Sequence, residues 1–121
     1  MDTLFHLADP DLWAAAVRTG RYTGSTKGRS LAEEGFVHCS FRSQLAGVAA
    51  ALYSGTPALV LLEIDPELLG GAPLRVEAVP GSAHGFPHVY GPIPTAAVAS
   101  ATPVQVDEQG HIHDARIPGA G

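Results

Sequence analysis

Two short segments of the chain combine a histidine with aromatic and small residues, a composition that suits acid–base chemistry. The first is Gly35-Phe36-Val37-His38-Cys39-Ser40, and the second is Gly85-Phe86-Pro87-His88-Val89-Tyr90. Side chains alternate between the two faces of a strand, so Phe36, His38 and Ser40 are predicted to share one face. A titratable ring on a half-buried face loses hydrogen bonds to water, and this loss is unfavourable unless other hydrogen bonds replace them. His38 is therefore expected to contact a ligand or a buried polar partner.

A third histidine, His6, lies in the apolar run Leu4-Phe5-His6-Leu7. Any one of the histidines taken alone is best explained as a hydrogen-bonded core residue. His6, His38 and His88 together, all in or beside predicted strands, favour a shared ligand site. Their separations match no local metal-ligand motif, so no metal is expected, and a metal centre formed by the three rings is kept as an alternative.

Four further side chains carry groups that suit such a site. Ser40 and His38 project in parallel from one strand, so a nucleophile and base pair between them is disfavoured. Cys39 points to the opposite face and is predicted to be a buried, unreactive thiol. Glu77 is the best-placed carboxylate for chemistry, with a simple surface ion pair as the alternative. Tyr90 is held by a rigid turn and either stacks on a ligand or serves packing alone.

The composition of the 121-residue chain narrows its partners and its compartment. Twelve acidic and seven basic residues give a net charge of -5, and no basic stripe could neutralise several phosphates at once. Duplex nucleic acid is therefore not expected as a partner. The single cysteine excludes an intrachain disulfide, which fits a reducing compartment. No apolar run approaches the roughly 18 residues of a membrane-spanning helix, and no signal-peptide pattern follows Met1, so a cytoplasmic protein without a membrane partner is predicted.

The order of predicted elements indicates one α+β domain with its helices gathered early. A first strand precedes a helix that has Asp9 as its N-cap and Pro10 in its first turn and that ends at Gly20. A second helix is predicted from Ser43 to near Gly55. The remaining predicted elements are strands over 58–64, 73–79 and 103–107, a loop over 80–88 and a helical turn over 94–98.

Two polar regions lie outside these elements. The stretch 18–29 combines basic residues with glycines, and it is either a solvated loop or a cradle for a small phosphorylated ligand. The domain is placed at residues 1–107, and residues 108–121 are predicted to form a partly disordered tail. His111 and His113 in this tail would share a strand face and can hold a metal loosely, although histidines in a tail usually have no function.

Several of these segments together resemble a known bacterial family. They are Phe5-His6-Leu7, the Trp13 helix ending in Gly20-Arg21-Tyr22, the run from Ser30 to Ser40, and Phe86-Pro87-His88-Val89-Tyr90-Gly91-Pro92-Ile93. The pattern extends over residues 3–107 and resembles the domain-of-unknown-function family numbered 952. The resemblance implies a fold similar to the ADP-ribosyltransferase superfamily, in which two small packed sheets enclose a nicotinamide-dinucleotide cleft. A more distant likeness to tRNA 2′-phosphotransferases implies the same fold.

The resemblance also implies roles for individual residues. His6 would hold the ribose of NAD, and His38 would pack on the nicotinamide side. Glu77 is the candidate for a late glutamate that orients the ribose, with His88 or Tyr90 as alternatives. The predicted catalytic residues are His38 and Glu77, and the predicted ligand-binding residues are His6, Ser40, His88 and Tyr90.

The activity expected from this resemblance is that of a transferase or glycohydrolase acting at the nicotinamide ribose of NAD or ADP-ribose, without a metal. A carboxylate can stabilise the oxocarbenium character of glycosidic cleavage while histidines fix the ribose and pyrophosphate. Two alternatives stay open. One is a non-catalytic module that binds a nucleotide or related metabolite, and the other is a small metal-dependent hydrolase.

Overall fold

The chain forms a mixed α+β structure of antiparallel sheets with few helices, which confirms the predicted class. We describe residues 2–25, 28–78 and 84–114 of a computed structural model. The strands are β1 (Leu4–Ala8), β2 (Arg21–Tyr22), β3 (Val37–His38), β4 (Leu59–Ile64), β5 (Leu74–Glu77), β6 (Phe86–Val89), β7 (Ile93–Pro94), β8 (Val98–Val106) and β9 (Ile112–Asp114). The helices are α1 (Pro10–Thr19), α2 (Leu31–Glu34) and α3 (Arg42–Leu52), with 3₁₀ turns at Pro66–Leu68 and Thr95–Ala97.

The larger sheet has four antiparallel strands in the order β1, β4, β8, β9. Its strand β4 has a nearly continuous apolar sequence because both of its faces are buried. Leu62 and Ile64 enter one apolar cluster, and Leu59 enters another on the opposite face. The apolar run predicted as a central strand is therefore confirmed.

The smaller sheet has three antiparallel strands in the order β3, β6, β5. Its registers place His88 opposite His38 on one side and opposite Arg75 on the other. The two sheets meet where Phe5 and Ser40 exchange backbone hydrogen bonds, each 2.7 Å long. β2 and β7 form a separate two-stranded ribbon. The backbone of β3 is thus connected directly to β1.

Two clusters of buried apolar side chains fill the interior. The first joins both sheets and α1, with Leu4 and Leu62 from the larger sheet and Val89 from the smaller one. The second lies under α3 and includes Leu7 and Ala49. Because side chains alternate along β1, its even-numbered positions face the first cluster and Leu7 faces the second.

Helix α1 begins and ends where its sequence signals predict. The Asp9 carboxylate accepts hydrogen bonds from the N–H groups of Asp11 and Leu12, and Pro10 occupies the first turn. Gly20 ends the helix with a φ of 83°, a left-handed conformation that favours glycine. These caps fix the direction in which the chain enters β2.

Helix α3 begins at Arg42, immediately before Ser43, the residue predicted as its cap. The side chain of Gln44 instead completes the start of the helix, because its Oε1 accepts a hydrogen bond from the N–H of Phe41 at 3.0 Å. The amide of Gln44 also donates to the carbonyl of Gly85 at 2.8 Å. This second bond ties the helix to the segment that leads into β6.

Part of the segment predicted as a loop over 80–88 is strand β6, the middle strand of the smaller sheet. Residues 79–83 lie outside the described part of the chain. The loop prediction was therefore wrong at Phe86, Pro87 and His88. Proline is unusual in a central strand because it lacks an N–H. The Pro87 carbonyl accepts from the N–H of Cys39 at 3.0 Å, and the next residue, Ser40, already pairs with Phe5. The missing N–H of Pro87 therefore falls where the paired part of β3 ends, and β5 still pairs with β6 along its whole length on the other side.

The last strands also extend beyond their predicted bounds. β8 begins at Val98, before the predicted start at 103, and β9 pairs with it. The larger sheet therefore extends past residue 107, the predicted limit of the domain. The carboxylate of Asp107 accepts from the N–H groups of Gln109 and His111 and closes the turn between the two strands. Residues 115–121 lie outside the described part of the chain.

Gly110 provides a test of how this turn packs on α3. It has a φ of 86°, and a Cβ placed there would lie 2.6 Å from the Cα and Cβ of Ala50. We expect Gly110→Ala to lower the free energy of unfolding by about 2 kcal/mol or more, because overpacking adds to backbone strain. Urea denaturation measures the change. Gly47→Ala in α3 is the control, since a new Cβ there meets nothing within 4 Å and should raise stability by about 0.5–1 kcal/mol. An unchanged midpoint for Gly110→Ala would contradict the packing.

Candidate acid–base site

Alternation along β3, β6 and β5 places polar and aromatic side chains on one face of the smaller sheet. A cross-strand row of His38, His88 and Arg75 lies at its centre, and Glu77 follows two residues further along β5. The rings that share this face belong to Phe36, Phe86 and Tyr90. The opposite face of the same strands packs into the first apolar cluster.

A chain of hydrogen bonds crosses this face from Glu77 to His38. Glu77 Oε1 accepts from Nδ1 of His88 at 2.8 Å and also from the hydroxyl of Tyr90. Because a carboxylate can only accept, the proton of His88 is on Nδ1 and its Nε2 carries a lone pair. Nδ1 of His38 donates to this lone pair at 3.2 Å. The tautomer of His38 is thereby fixed, with its basic lone pair on Nε2.

The aromatic rings shield the buried part of this chain. His88 is 4 % exposed, and Phe36 stacks on it with ring centroids 4.1 Å apart and an interplanar angle of 21°. His38 is only half-buried, with the ring of Phe86 at 5.4 Å. The buried imidazole of His88 therefore joins two half-buried groups, the carboxylate of Glu77 and the ring of His38, and solvent or a ligand can reach His38.

The hydrogen bonds and burial also set the ionisation states. Burial, followed by the adjacent His88, holds the pKa of His38 below its usual value. The hydrogen bond from Tyr90, followed by that from His88, lowers the pKa of Glu77. The hydrogen bond between Tyr90 and Glu77 also raises the pKa of Tyr90. At neutral pH, Glu77 is therefore a carboxylate and His38 a neutral imidazole, which is the state that a general base requires.

His6 lies in the core and not beside the ring of His38. It shares a strand face with Leu4 and Ala8, and it is 3 % exposed. Its Nδ1 donates to the backbone carbonyl of His38 at 2.6 Å, and its Nε2 accepts from the hydroxyl of Tyr22 at 2.8 Å. Burial lowers the pKa of His6 to about 4, so the ring is neutral. The expectation that His6 holds a ligand is therefore corrected, because both nitrogens already have partners within the protein.

Ser40 and Cys39 are both buried next to His38. The paired strand β3 ends at His38, and Ser40, at 3 % exposure, belongs to the junction with Phe5 in β1. The predicted ligand face therefore narrows to His38 and its cross-strand neighbours. Cys39 is fully buried in the first apolar cluster, and burial raises the pKa of its thiol to about 12. The predicted burial of this thiol is confirmed.

The histidines do not converge on one point as metal ligands would. The ring of His88 lies between His38 and Glu77 and bonds to each with a different nitrogen. Within the described ranges, no group of three or more His, Cys, Asp or Glu side chains could hold a metal ion. The geometry therefore gives no support to the metal-dependent hydrolase alternative.

Sequence reasoning did not select four residues that complete this arrangement. Strand alternation placed Phe36 on the face of His38 but gave it no role, and the same alternation could have placed Phe86 beside His88, two positions later. Arg75, whose guanidinium lies 5.5 Å from the ring centre of Tyr90, could have been found from its place two residues before Glu77. Tyr22 gave no such signal, because its partner His6 is 16 residues away on another strand.

The fold and this polar face define a small α+β domain with a histidine network on a three-stranded sheet. Residues 7–101 match the family described as Protein of unknown function (DUF952), and the chain belongs to that family. The family resemblance drawn from the sequence is therefore confirmed. The likeness to ADP-ribosyltransferases stays a prediction.

Solved structures of the protein CC0527 from Caulobacter crescentus share the fold. Its crystal structure is 31% identical in sequence with a TM-score of 0.77, and the match covers 92% of this chain and 93% of that one. Its solution NMR structure is 32% identical with a TM-score of 0.72, covering 91% and 90%. Comparison with curated proteins gave no match. Among the described residues, no helix combines the length and apolar character needed to cross a membrane.

The buried His6 predicts how stability depends on pH. Its pKa is about 4 in the folded protein and 6.5 in the reference state, so below pH 6.5 the unfolded chain takes up the proton first. The contribution of His6 is therefore fully present above pH 6.5 and is lost as the pH falls toward 4. We expect the free energy of unfolding to drop by about 2 kcal/mol between pH 7 and pH 5 from this residue.

Urea denaturation at several pH values measures this loss. His6→Asn keeps a short side chain that can donate and accept hydrogen bonds but does not titrate. In this variant the free energy of unfolding should fall by about 2 kcal/mol less between pH 7 and pH 5 than in the wild type. The NMR signals of the His6 ring give an independent reading in the folded wild-type protein. A His6 ring that takes up its proton near pH 6.5 would contradict its burial between the two sheets.

Proposed function

We propose that this chain is an enzyme that acts at the nicotinamide ribose of NAD, or at the corresponding ribose of ADP-ribose, as a transferase or glycohydrolase. The observation that carries the proposal is the hydrogen-bonded chain from Glu77 through His88 to the accessible Nε2 side of His38. The ionised carboxylate of Glu77 orients His88, and His88 in turn orients His38. A general base is expected to be positioned by hydrogen bonds of this kind. The resemblance to ADP-ribosyltransferases supports the choice of substrate.

In this proposal His38 activates the acceptor. The glycosidic bond between the ribose and nicotinamide breaks, and its electron pair leaves with the nicotinamide ring nitrogen. Nε2 of His38 removes a proton from water or from an acceptor hydroxyl, whose oxygen forms the new bond to the ribose carbon. The positive charge on His38 passes through Nδ1 to His88, where the carboxylate of Glu77 stabilises it.

The neighbouring residues then have supporting roles. The rings of Phe36 and Phe86 border the two histidines and offer faces on which a planar ring can stack. The Tyr90 hydroxyl keeps Glu77 ionised and oriented. His6 and Ser40 hold the backbone around His38 and act as positioning residues rather than as direct ligand contacts.

A second candidate is a module that binds a nucleotide without turnover. The observation that favours it is the pairing of stacking surfaces with a cation on the same face. Arg75 lies over the ring of Tyr90 and can meet a phosphate, while Phe36 and Phe86 can meet a base or nicotinamide ring. Such contacts bind a ligand without using the lone pair of His38.

Release of nicotinamide from NAD distinguishes the two. For the enzyme, we expect His38→Ala to lower the rate at least about 100-fold, because the general base is lost. Glu77→Gln should lower it by a smaller factor, since glutamine keeps an acceptor oxygen but removes the charge that stabilises His88. His111→Ala and Glu67→Gln are matched controls on exposed positions outside this face and should leave the rate unchanged.

Binding is measured in parallel by thermal shift with NAD and ADP-ribose, since a ligand that binds only the folded state raises the midpoint. A shift without nicotinamide release supports the binding module and overturns the enzyme. Nicotinamide release that is equal in the wild type and in His38→Ala removes His38 from its role. The absence of both a shift and release at millimolar nucleotide overturns both candidates.

A further inference from the structure

A second region with ligand-binding features lies outside the His38 face. It is a cavity of about 440 Å³ lined by the start of α1, by β2, by the segment around Ser30 and by residues 53–59. Leu7, Leu12 and Leu59 form an apolar part of its wall. The volume falls within the range of small-molecule sites, which join apolar walls with a few polar groups.

The charges of the described residues that line this cavity are mainly negative. Among the described lining residues, Asp9, Asp11 and Glu33 contribute three carboxylates and Arg29 contributes one guanidinium. Arg29 also lies 4.0 Å from the carboxylate of Glu34, which offsets part of its charge. A phosphate or carboxylate ligand would therefore meet repulsion, whereas a cation would be attracted.

The backbone groups that usually attract anions are already occupied here. The carboxylate of Asp9 accepts from the first N–H groups of α1, and the carboxylate of Glu33 accepts from the N–H of Ser30 at 2.9 Å. These helix starts consequently present carboxylate oxygens to the cavity, and not unsatisfied N–H donors. The positive end of the α1 dipole is offset by the carboxylates of Asp9 and Asp11.

Two phenol rings complete the wall. Tyr22 and Tyr53 both line the cavity and are largely buried. The hydroxyl proton of Tyr22 is donated to His6, so the oxygen of Tyr22 can only accept a further hydrogen bond. The aromatic faces and the acceptor oxygen of Tyr22 both favour a cation over an anion.

We propose that this cavity binds a small organic cation, a protonated amine or guanidinium carried on an apolar body. The apolar body contacts the leucine wall, and the charged head meets the carboxylates of Asp11 and Glu33. The proposal shares no residue with the His38 network, so it holds or fails independently of the activity proposed above.

Three isosteric probes test the charge preference. Benzylamine, benzyl alcohol and benzoate are titrated into the ¹⁵N-labelled full chain, and the amide shifts are followed by NMR. We expect benzylamine to shift the amides at 9–12 and 28–33, with an affinity that weakens as salt is added. Benzyl alcohol and benzoate should bind at least about three-fold more weakly, because each lacks the positive charge.

Variants locate the site. Glu33→Gln keeps an acceptor oxygen for the cap at Ser30 while it removes the charge, and Asp11→Asn is a similarly conservative change. Each is expected to weaken benzylamine binding by about two- to five-fold. Glu67→Gln makes the same change on an exposed position that does not line the cavity, and it should have no effect.

Each other outcome overturns the proposal. Equal binding of benzyl alcohol would show an apolar pocket without charge preference. Stronger binding of benzoate, or of inorganic phosphate as a fourth probe, would show an anion site. Shifts confined to other residues, or no shift at roughly 10 mM benzylamine, would show that the cavity is not a site for such cations.

Discussion

The hydrogen bond from Nδ1 of His6 to the backbone carbonyl of His38 is the contact on which the rest of the site depends. It joins the larger sheet to the smaller one inside an apolar core, where an imidazole is tolerated only if both nitrogens are bonded. Tyr22 supplies the second bond, so the two-residue strand β2 is needed to satisfy the buried ring of His6. With its backbone held from the core, His38 can present its ring on the opposite face of β3.

Strand alternation then gives one backbone two environments. Val37 and Val89 point into the core, while His38 and His88 point to the other face at the same register. His88 is almost fully buried, and an unpaired imidazole there would be unfavourable, so it requires an acceptor such as Glu77. The carboxylate that satisfies this structural need also fixes the tautomer of His38. Stability and acid–base competence therefore arise from the same bonds, and neither can be altered alone.

The sequence predicted those features that depend on near neighbours. The caps of α1, the burial of Cys39 and the shared face of His38 and Phe36 follow from local signals within a few residues. β6 was missed because its pairing with β3 joins residues about 50 positions apart, which local signals do not connect. His6 taken alone was best explained as a core residue, and its grouping with His38 and His88 wrongly favoured a ligand site. Its hydrogen-bond partners, the carbonyl of His38 and the hydroxyl of Tyr22, are 32 and 16 residues away and show that His6 belongs to the core.

Tyr22 separates the cavity near α1 from the strand that carries His38. Its ring is held from two sides, because the hydroxyl bonds to His6 and a Cβ on Gly24 would overlap that hydroxyl. Moving the phenol would leave the buried Nε2 of His6 without a donor, at a cost of about 1–3 kcal/mol. The binding free energy of a weak ligand in the cavity is too small to offset that cost. Such a ligand must therefore bind without moving the phenol of Tyr22. The tight packing that protects the geometry of His38 therefore also keeps the two regions from responding to each other.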